Sequence, residues 1–245
     1  MTDLAGRTAV VTGAGRGVGA AVAAELSRRG AHVGVLARSA DEVRRTAAAV
    51  GGTPLIADVA DADRLTSVLQ SFGEADIVVA NAGVVWPLGM FTGTDVAEWE
   101  QAVAINLFGA VRVVHAMVPG MVRRGWGRIA TISSGAAQPP GMHSANAYST
   151  SKAALDMFTL HLARELDGSG VTANAVRPGV VATEMQRFMR SHSREQVGDA
   201  FYERFHGLHE RGELVEPDQA ARFVVKVMLS GDNGTVRDLR DRTDH

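Results

Sequence analysis

Cysteine is absent from the 245 residues, lysine occurs only at Lys152 and Lys226, and tyrosine only at Tyr148 and Tyr202. Without cysteine there is no disulfide framework, no thiolate nucleophile and no thiolate metal ligand, and thiol usage says nothing of compartment. Charge of either sign is not in excess. The formal net charge of -2 excludes the basic footprint expected of a nucleic-acid binder or of a protein held to an anionic membrane. No run reaches about 18 uninterrupted apolar residues, and the first residues lack a basic segment followed by an apolar one. The expectation is a cytoplasmic protein with neither membrane nor nucleic acid as partner.

A 46% hydrophobic content with 21% charge is that of an ordinary globular chain, long enough to bury a large core. No linker, repeat or shift in composition divides it, so residues 1–245 are read as a single α/β domain. Thr8–Thr12 is a short β-branched run, followed by Gly13-Ala14-Gly15-Arg16-Gly17-Val18-Gly19 and an alanine-rich helical stretch to about Arg29. Strands are then expected at 31–37, 53–57, 77–80, 127–132 and 171–176. Helices are expected at 41–50, 61–71, 95–123 and from Tyr148 onward. Strands alternating with helices of this length predict right-handed βαβ crossovers and a doubly wound, Rossmann-type parallel sheet flanked by helices.

The glycine turn between the first strand and its helix is a phosphate cradle, because backbone amides and the helix dipole point at an anion seated there. Position 18 is Val, so the spacing departs from G-x-G-x-x-G and places Gly13, Gly17 and Gly19 at the key points, with Gly15 between them. A dinucleotide fold that prefers NAD carries an acidic residue at the end of the second strand, whereas an Arg there suits a 2′-phosphate. The chain has Ala37-Arg38-Ser39, and a second arginine, Arg16, inside the turn. The balance favours NADP(H) over NAD(H), unless both arginines simply face solvent.

The rare residues point to chemistry. On a helix, Tyr148 and Lys152 lie four residues apart on one face, so an ammonium reaches the neighbourhood of a phenol. A phenol titrates near ~10 and is a poor acid or base at neutral pH unless a cation favours its ionised form. Arginine supplies nearly all the positive charge elsewhere, and it stays protonated. A lysine at this position supplies an amine whose proton can be tuned.

Seven pieces in order resemble the short-chain dehydrogenase/reductase family over roughly Arg7 to Met185. They are Thr12-Gly13-x-x-x-Gly17-x-Gly19, Asp58-Val59, Asn81-Ala82-Gly83, Asn106, Ser134, Tyr148-x-x-x-Lys152, and Pro178-Gly179 with Thr183 beyond. The resemblance implies nicotinamide-dependent interconversion of a carbonyl and an alcohol. Tyr148 would be the acid/base, Lys152 the cation that lowers its pKa, Ser134 the donor to the substrate oxygen, and Asn106 the holder of a water linking Lys152 to solvent. It also implies Asp58 and Val59 at the adenine, and Asn81, Ala82 and Gly83 beside the cofactor. Pro178 and Gly179 would lie near the nicotinamide and Thr183 near its amide or the pyrophosphate. Plainer roles stand beside these: Asn81 tying two strand ends, Ser134 as a cap, and Asn106 as a bend in its helix. The loop from Ser134 to Tyr148 is one residue longer than the spacing commonest in the family, which leaves Ser133 as a lesser candidate. A catalytically silent cofactor-binding regulator on the same fold is the rival reading.

From Glu184 to Gly212 the chain turns aromatic, methionine-bearing and basic, and the resemblance makes about 184–213 a helical lid over the substrate. Phe201, Phe205 and Leu208 share one helical face. Trp86, Met142, His143 and Phe188 are candidate substrate contacts, and the substrate is expected to be a small carbonyl or alcohol compound. His192, His206 and His209 have no second ligand pair to fix a geometry, so no metal site is expected. The segment Asn233–Leu239 reads as a short final strand without a glycine-rich tail, which leaves a homodimer through the long helices, or a homotetramer, as the expected assembly.

Overall fold

In the computed structural model, which describes residues 4–241, the short β-branched runs are strands. They are β1 (Thr8–Thr12), β2 (His32–Ala37), β3 (Thr53–Ile56), β4 (Ile77–Ala80), β5 (Gly127–Ile132), β6 (Val171–Arg177) and β7 (Val236–Asp238). The helices are α1 (Gly17–Arg28), α2 (Ala40–Val50), α3 (Ala62–Phe72), α4 (Val96–Val103), α5 (Gly109–Arg124), α6 (Asn146–Glu165), α7 (Glu184–Arg190), α8 (Arg194–Val197), α9 (Asp199–Glu210) and α10 (Pro217–Met228). All seven strands pair in parallel in the order β3-β2-β1-β4-β5-β6-β7.

Successive strand residues point to opposite faces, and both faces here are covered. Ala9 and Val11 of β1, with Ile77 and Val79 of β4, pack under α1, α2 and α10. Val10 and Val78 go to the other layer, against Leu65 and Leu69 of α3, Val113 and Met117 of α5, and Ala163 of α6. Burial on both sides is why the strands read as unbroken apolar runs rather than as alternating ones. Helix α10 was not expected from the sequence. Its signals are Pro217 in the first turn and buried Ala220, Ala221, Val224, Val225 and Met228 at helical spacing, which close the face shared with Val22 and Leu26 of α1.

The order of strands reverses between β1 and β4, and in such sheets the crevice beyond the strand ends at the reversal is where ligands bind. Side chains fasten that crevice. Thr12 Oγ1 accepts from the amides of Asn81 and Ala82, both at 3.0 Å, and Asn81 Nδ2 donates to the Thr12 carbonyl at 2.9 Å. The tying role read for Asn81 is therefore present.

The single helix expected over 95–123 is instead α4 and α5 joined by one π-helical stretch, Ala104–Phe108. The wider turn rotates Asn106 inward to full burial. Val96–Arg124 as a whole is long and apolar enough by composition to cross a membrane, with a mean hydropathy of 1.6 over its most apolar window. Its Ile105, Val113, Val114, Met117 and Met121 are buried in the core against the sheet.

Candidate active site

The glycine turn owes its shape to close approach. A Cβ on Gly19 would lie 2.4 Å from the Gly13 carbonyl oxygen and 2.5 Å from Asn81 Nδ2, so the start of α1 can sit against β1 only without a side chain there. Gly17 has a φ of +57°, a conformation that side chains other than glycine adopt at a cost. The residue preceding α1, Arg16, makes no capping bond, which leaves the amides of the first turn around Val18 without a side-chain acceptor. Thr183 faces this turn, with its methyl 3.3 Å from where a Gly17 Cβ would stand. A helix N-terminus with uncapped amides, approached by a threonine and lined by glycine, fits a pyrophosphate.

At the ends of β5 and α6 the chemistry-bearing side chains converge. Ser134 precedes a short 3-10 turn (Gly135–Ala137), and its Oγ accepts from the Ala136 amide at 3.1 Å. Ser134 also lies near enough to the Tyr148 hydroxyl to favour its ionised form. Lys152 Nζ donates to the Ile132 carbonyl at 2.7 Å and stands 5.8 Å from the centre of the Tyr148 ring. Tyr148 and Lys152 are both buried, at 9% and 3% exposure. Burial pushes the Tyr148 phenol above its ordinary value of 10.0, against the hydrogen bond from Ser134, which lowers it. Burial likewise brings Lys152 down from 10.5 to about 8, against the charge of Asp156, which raises it. The expectation that Lys152 and the positive nicotinamide together lower the Tyr148 pKa concerns the cofactor-bound protein; in the protein alone, removal from water sets the direction.

Asn106 lies beside this group. Its Oδ1 accepts from the Val84 amide at 2.7 Å, and its Nδ2 donates to the Val84 carbonyl and to Ser151 Oγ. A Cβ on Gly83 would come 3.2 Å from Asn106 Oδ1 and 3.4 Å from Lys152 Nζ, which brings the end of β4, the π-helical stretch and α6 to one point. Ser133, the lesser candidate for the hydroxyl, is buried, with no hydrogen-bond partner for its Oγ among the described residues, and Ser134 is the serine that acts on the Tyr148 phenol.

The rim is looser. Arg38 is exposed, and no ion pair or side-chain hydrogen bond is found for it among the described residues. Arg16 Nη1 meets Glu42 Oε1 at 3.0 Å, so it is paired rather than free. Glu42, from the first turn of α2, is an acid near the glycine turn that the reading of the strand end missed. Asp58 accepts from the Ala60 amide at 2.9 Å. The Val59 side chain is buried against Gly109, leaving its carbonyl to Arg112. Pro178 is buried, and Gly179 approaches Val215.

The segment expected as a lid is α7, α8 and α9. Phe201, Phe205, Met189 and Val197 form one apolar cluster with Tyr148, Val85 and Ala145, and Met142, Met185 and Leu208 pack on its edge. Ser144 Oγ donates to the Val197 carbonyl at 2.8 Å and joins the loop before α6 to these helices. Two expected substrate contacts are not brought there. Trp86 packs against the core below α3 and α5, and Phe188 is 39% exposed, edge-on to His192. His143 is exposed and lies against Gly198 and the Ser144 hydroxyl. No group of three His, Asp or Glu able to hold a metal is found among the described residues.

Sequence reasoning also missed a buried ion pair behind Lys152. Arg177 Nη2 meets Asp156 Oδ2 at 2.6 Å, with both side chains about one-tenth exposed. Their spacing in sequence gave no signal, although Asp156 lies one further helical turn along the stripe of Tyr148 and Lys152.

The profile of the short chain dehydrogenase family matches residues 7–194. The 3-oxoacyl-[acyl-carrier-protein] reductase FabG of Pseudomonas aeruginosa is 37% identical over 204 residues, 80% of this chain and 82% of that protein. Glycine betaine reductase ATRR of Emericella nidulans is 37% identical over 74% of this chain, a stretch that is only 15% of ATRR. Among solved structures, KRED1-Pglu superposes with a TM-score of 0.87 at 31% identity, covering 94% of this chain and all of that one. A 3-oxoacyl-[acyl-carrier protein] reductase of Brucella melitensis with bound NAD gives a TM-score of 0.79 at 28% identity, covering 96% and 90%. The L-sorbose reductase of Gluconobacter frateurii, complexed with NADPH and L-sorbose, gives 0.83 at 27% identity, covering 97% and 96%. Matched over most of its length by the family's profile and by a relative at this identity, the chain belongs to the short-chain dehydrogenase/reductase family of oxidoreductases.

Proposed function

We propose that this protein is an NADP(H)-dependent oxidoreductase that interconverts a carbonyl and a secondary alcohol, with Tyr148 as general acid/base. The observation that carries the reading is the buried Tyr148 beside Ser134, with Lys152 Nζ 5.8 Å from the centre of its ring. A bound nicotinamide would supply or accept the hydride. Gly13, Gly15, Arg16, Gly17, Val18 and Gly19 would hold its phosphates, Asp58 and Val59 the adenine end, and Asn81, Ala82, Gly83, Pro178, Gly179 and Thr183 the remainder.

The chain's own residues handle the proton. Reduction of a carbonyl builds negative charge on its oxygen, and Ser134 Oγ and Tyr148 Oη donate to that oxygen as the charge forms. A phenol held above its ordinary value keeps its proton at neutral pH and is ready to give it up in the reductive direction. Lys152 then stabilises the phenolate left behind, because a cation beside an anion in a low dielectric is worth far more than in water. Asn106 fixes the end of β4 beside Lys152. The reverse reaction runs through the same atoms.

The cluster of Phe201, Phe205 and Met189 over Tyr148 suits a substrate with an apolar body, of the kind the FabG and ketoreductase relatives suggest. Turnover of a panel of carbonyl compounds, followed by cofactor absorbance, tests the reading. Tyr148→Phe is expected to bind cofactor like the wild type and to lose turnover by about 10²–10⁴-fold; full turnover by that variant overturns the proposal.

NAD(H) preference is the second reading, favoured by the ion pair that already occupies Arg16. Comparing NADPH and NADH affinities in the wild type and in Arg38→Ala separates the two. We further propose a cytoplasmic homo-oligomer, a dimer or a tetramer, assembled through the long helices, where Val96, Phe108 and Met157 are exposed.

A further inference from the structure

Tyr148, Lys152 and Asp156 follow one another at four-residue steps along the buried face of α6. An aspartate at that depth costs free energy unless it is paired, and its partner is Arg177 at the end of β6. The pair is end-on. One bond of 2.6 Å joins Arg177 Nη2 to Asp156 Oδ2, while Asp156 Oδ1 and Arg177 Nε are buried with no hydrogen-bond partner among the described residues. A side-on, two-bond pair would cancel more of the carboxylate's field, so the end-on pair leaves charge on Asp156 for a neighbour one helical turn away. That neighbour is Lys152, whose only hydrogen bond among the described residues runs to the uncharged Ile132 carbonyl.

We propose that Asp156, held in place by Arg177, is the positioning residue that keeps Lys152 in its ammonium form beside Tyr148. The inference rests on the proposed role of Lys152 in that chemistry. Asp156 opposes the effect of burial on the amine, in the direction the pair's geometry requires. Other charged groups around Lys152 do not take this role. Arg177 on β6 is a cation and acts against a second cation. Asp238, its register partner on β7, is bound by Arg240 through Nε at 2.9 Å and Nη2 at 2.5 Å. Arg240 itself lies over Gly135, where a Cβ would come 2.6 Å from its Nη2. Glu98 and Glu100 of α4 are exposed, and the groups facing Lys152 from β4 and the π-helical stretch, Gly83 and Asn106, are uncharged. The Tyr148 phenol, held protonated, supplies no anion at neutral pH.

The scarcity of lysine makes the test direct. With lysine labelled at Cε, the protein gives two lysine signals, Lys152 and the exposed Lys226, which serves as internal reference. Titrating the cofactor-free protein reads the Lys152 midpoint without any turnover. In Asp156→Asn the midpoint is expected to fall by about one pH unit, since an opposite charge at this range favours the charged form. In Asp156→Glu it is expected to return towards the wild-type value. In Arg177→Leu, which removes the competing cation, it is expected to rise. Opposite signs in Asp156→Asn and Arg177→Leu would not arise from loosened packing, which would admit water and raise both. An unmoved midpoint in folded Asp156→Asn, or shifts of the same sign in the two variants, overturns the inference. If Asp156→Asn does not fold, Asp156→Ser takes its place with the same expected fall, and a rise or an unmoved midpoint in it overturns the inference. Turnover surviving in Tyr148→Phe would remove the proposed chemistry without touching these midpoints, so the two failures are distinguishable.

Discussion

Lys152 and Arg16 are both cations at the same crevice, yet they are held by opposite means. Lys152 is 3% exposed, fixed to a backbone carbonyl and brought down to about 8 by burial. Arg16 has 61% of its side chain exposed and meets Glu42 in a surface ion pair. Surface pairs contribute about 0–1 kcal/mol and are readily exchanged, whereas a group set in the dry interior changes its own chemistry. The floor of the site, Ser134, Tyr148 and Lys152, is therefore where structure tunes reactivity. The rim, Arg16 and Arg38, is where a ligand can choose its partner at small cost. On the proposed function, reaction type rests on the packed part of the fold and cofactor choice on its replaceable surface.

Four substitutions probe that division. Tyr148→Phe acts on the floor and is expected to lower kcat by about 10²–10⁴-fold, the usual contribution of a positioned acid/base, with cofactor affinity unchanged. Parallel kinetics and cofactor titration check it, and a joint loss of both would mean that floor and rim are not separable. Gly19→Ala acts on the cradle between them. The added Cβ would stand 2.4 Å from the Gly13 carbonyl, so thermal unfolding should show a loss of about 1–3 kcal/mol together with weaker binding of either cofactor.

Lys152→Met sharpens the contrast through pH. Because the folded protein holds Lys152 at about 8 and the unfolded chain at about 10.5, the unfolded state binds more protons between those values. Stability from this group thus rises with pH across that window, by at most about 1.4 kcal/mol per unit. Chemical denaturation of the cofactor-free protein at pH 8 and pH 9.5 should show the gain in the wild type and not in the variant. Arg38→Ala, at the rim, is expected to weaken NADPH binding by about five- to tenfold, equivalent to about 1 kcal/mol, and to leave NADH binding unchanged. A variant that kept its preference would move the reading of the 2′-phosphate from Arg38 to Arg16.

Legibility in the sequence follows the range of the interaction. The strands β1, β4 and β5 match their expected bounds because each is a short apolar run ended by glycine or by polar residues. The Tyr148–Lys152 pair was visible because four-residue spacing on a helix brings side chains together without help from the rest of the chain. Helix α10 went unread although its apolar spacing was present, since nothing in the motifs pointed beyond Met185. The π-helical stretch at Asn106 was also unread. Continuous helical periodicity across 95–123 conceals one widened turn, which is selected by the Asn106 bonds to Val84 and Ser151, 22 and 45 residues away.

What the sequence by itself determined is the order of strands, glycine turn and helices along the chain, and a tyrosine and lysine sharing one face of a helix. Each is written in residues within about one helical turn or one strand of each other. The tertiary structure alone decided that Asp156 meets Arg177 across 21 residues, that Glu42 reaches back 26 residues to Arg16, and that Phe201 and Phe205 close over Tyr148. It also decided the sign of the phenol's shift. A pKa depends on how much water is removed around a group, and burial is a property of the packed chain rather than of any local spacing.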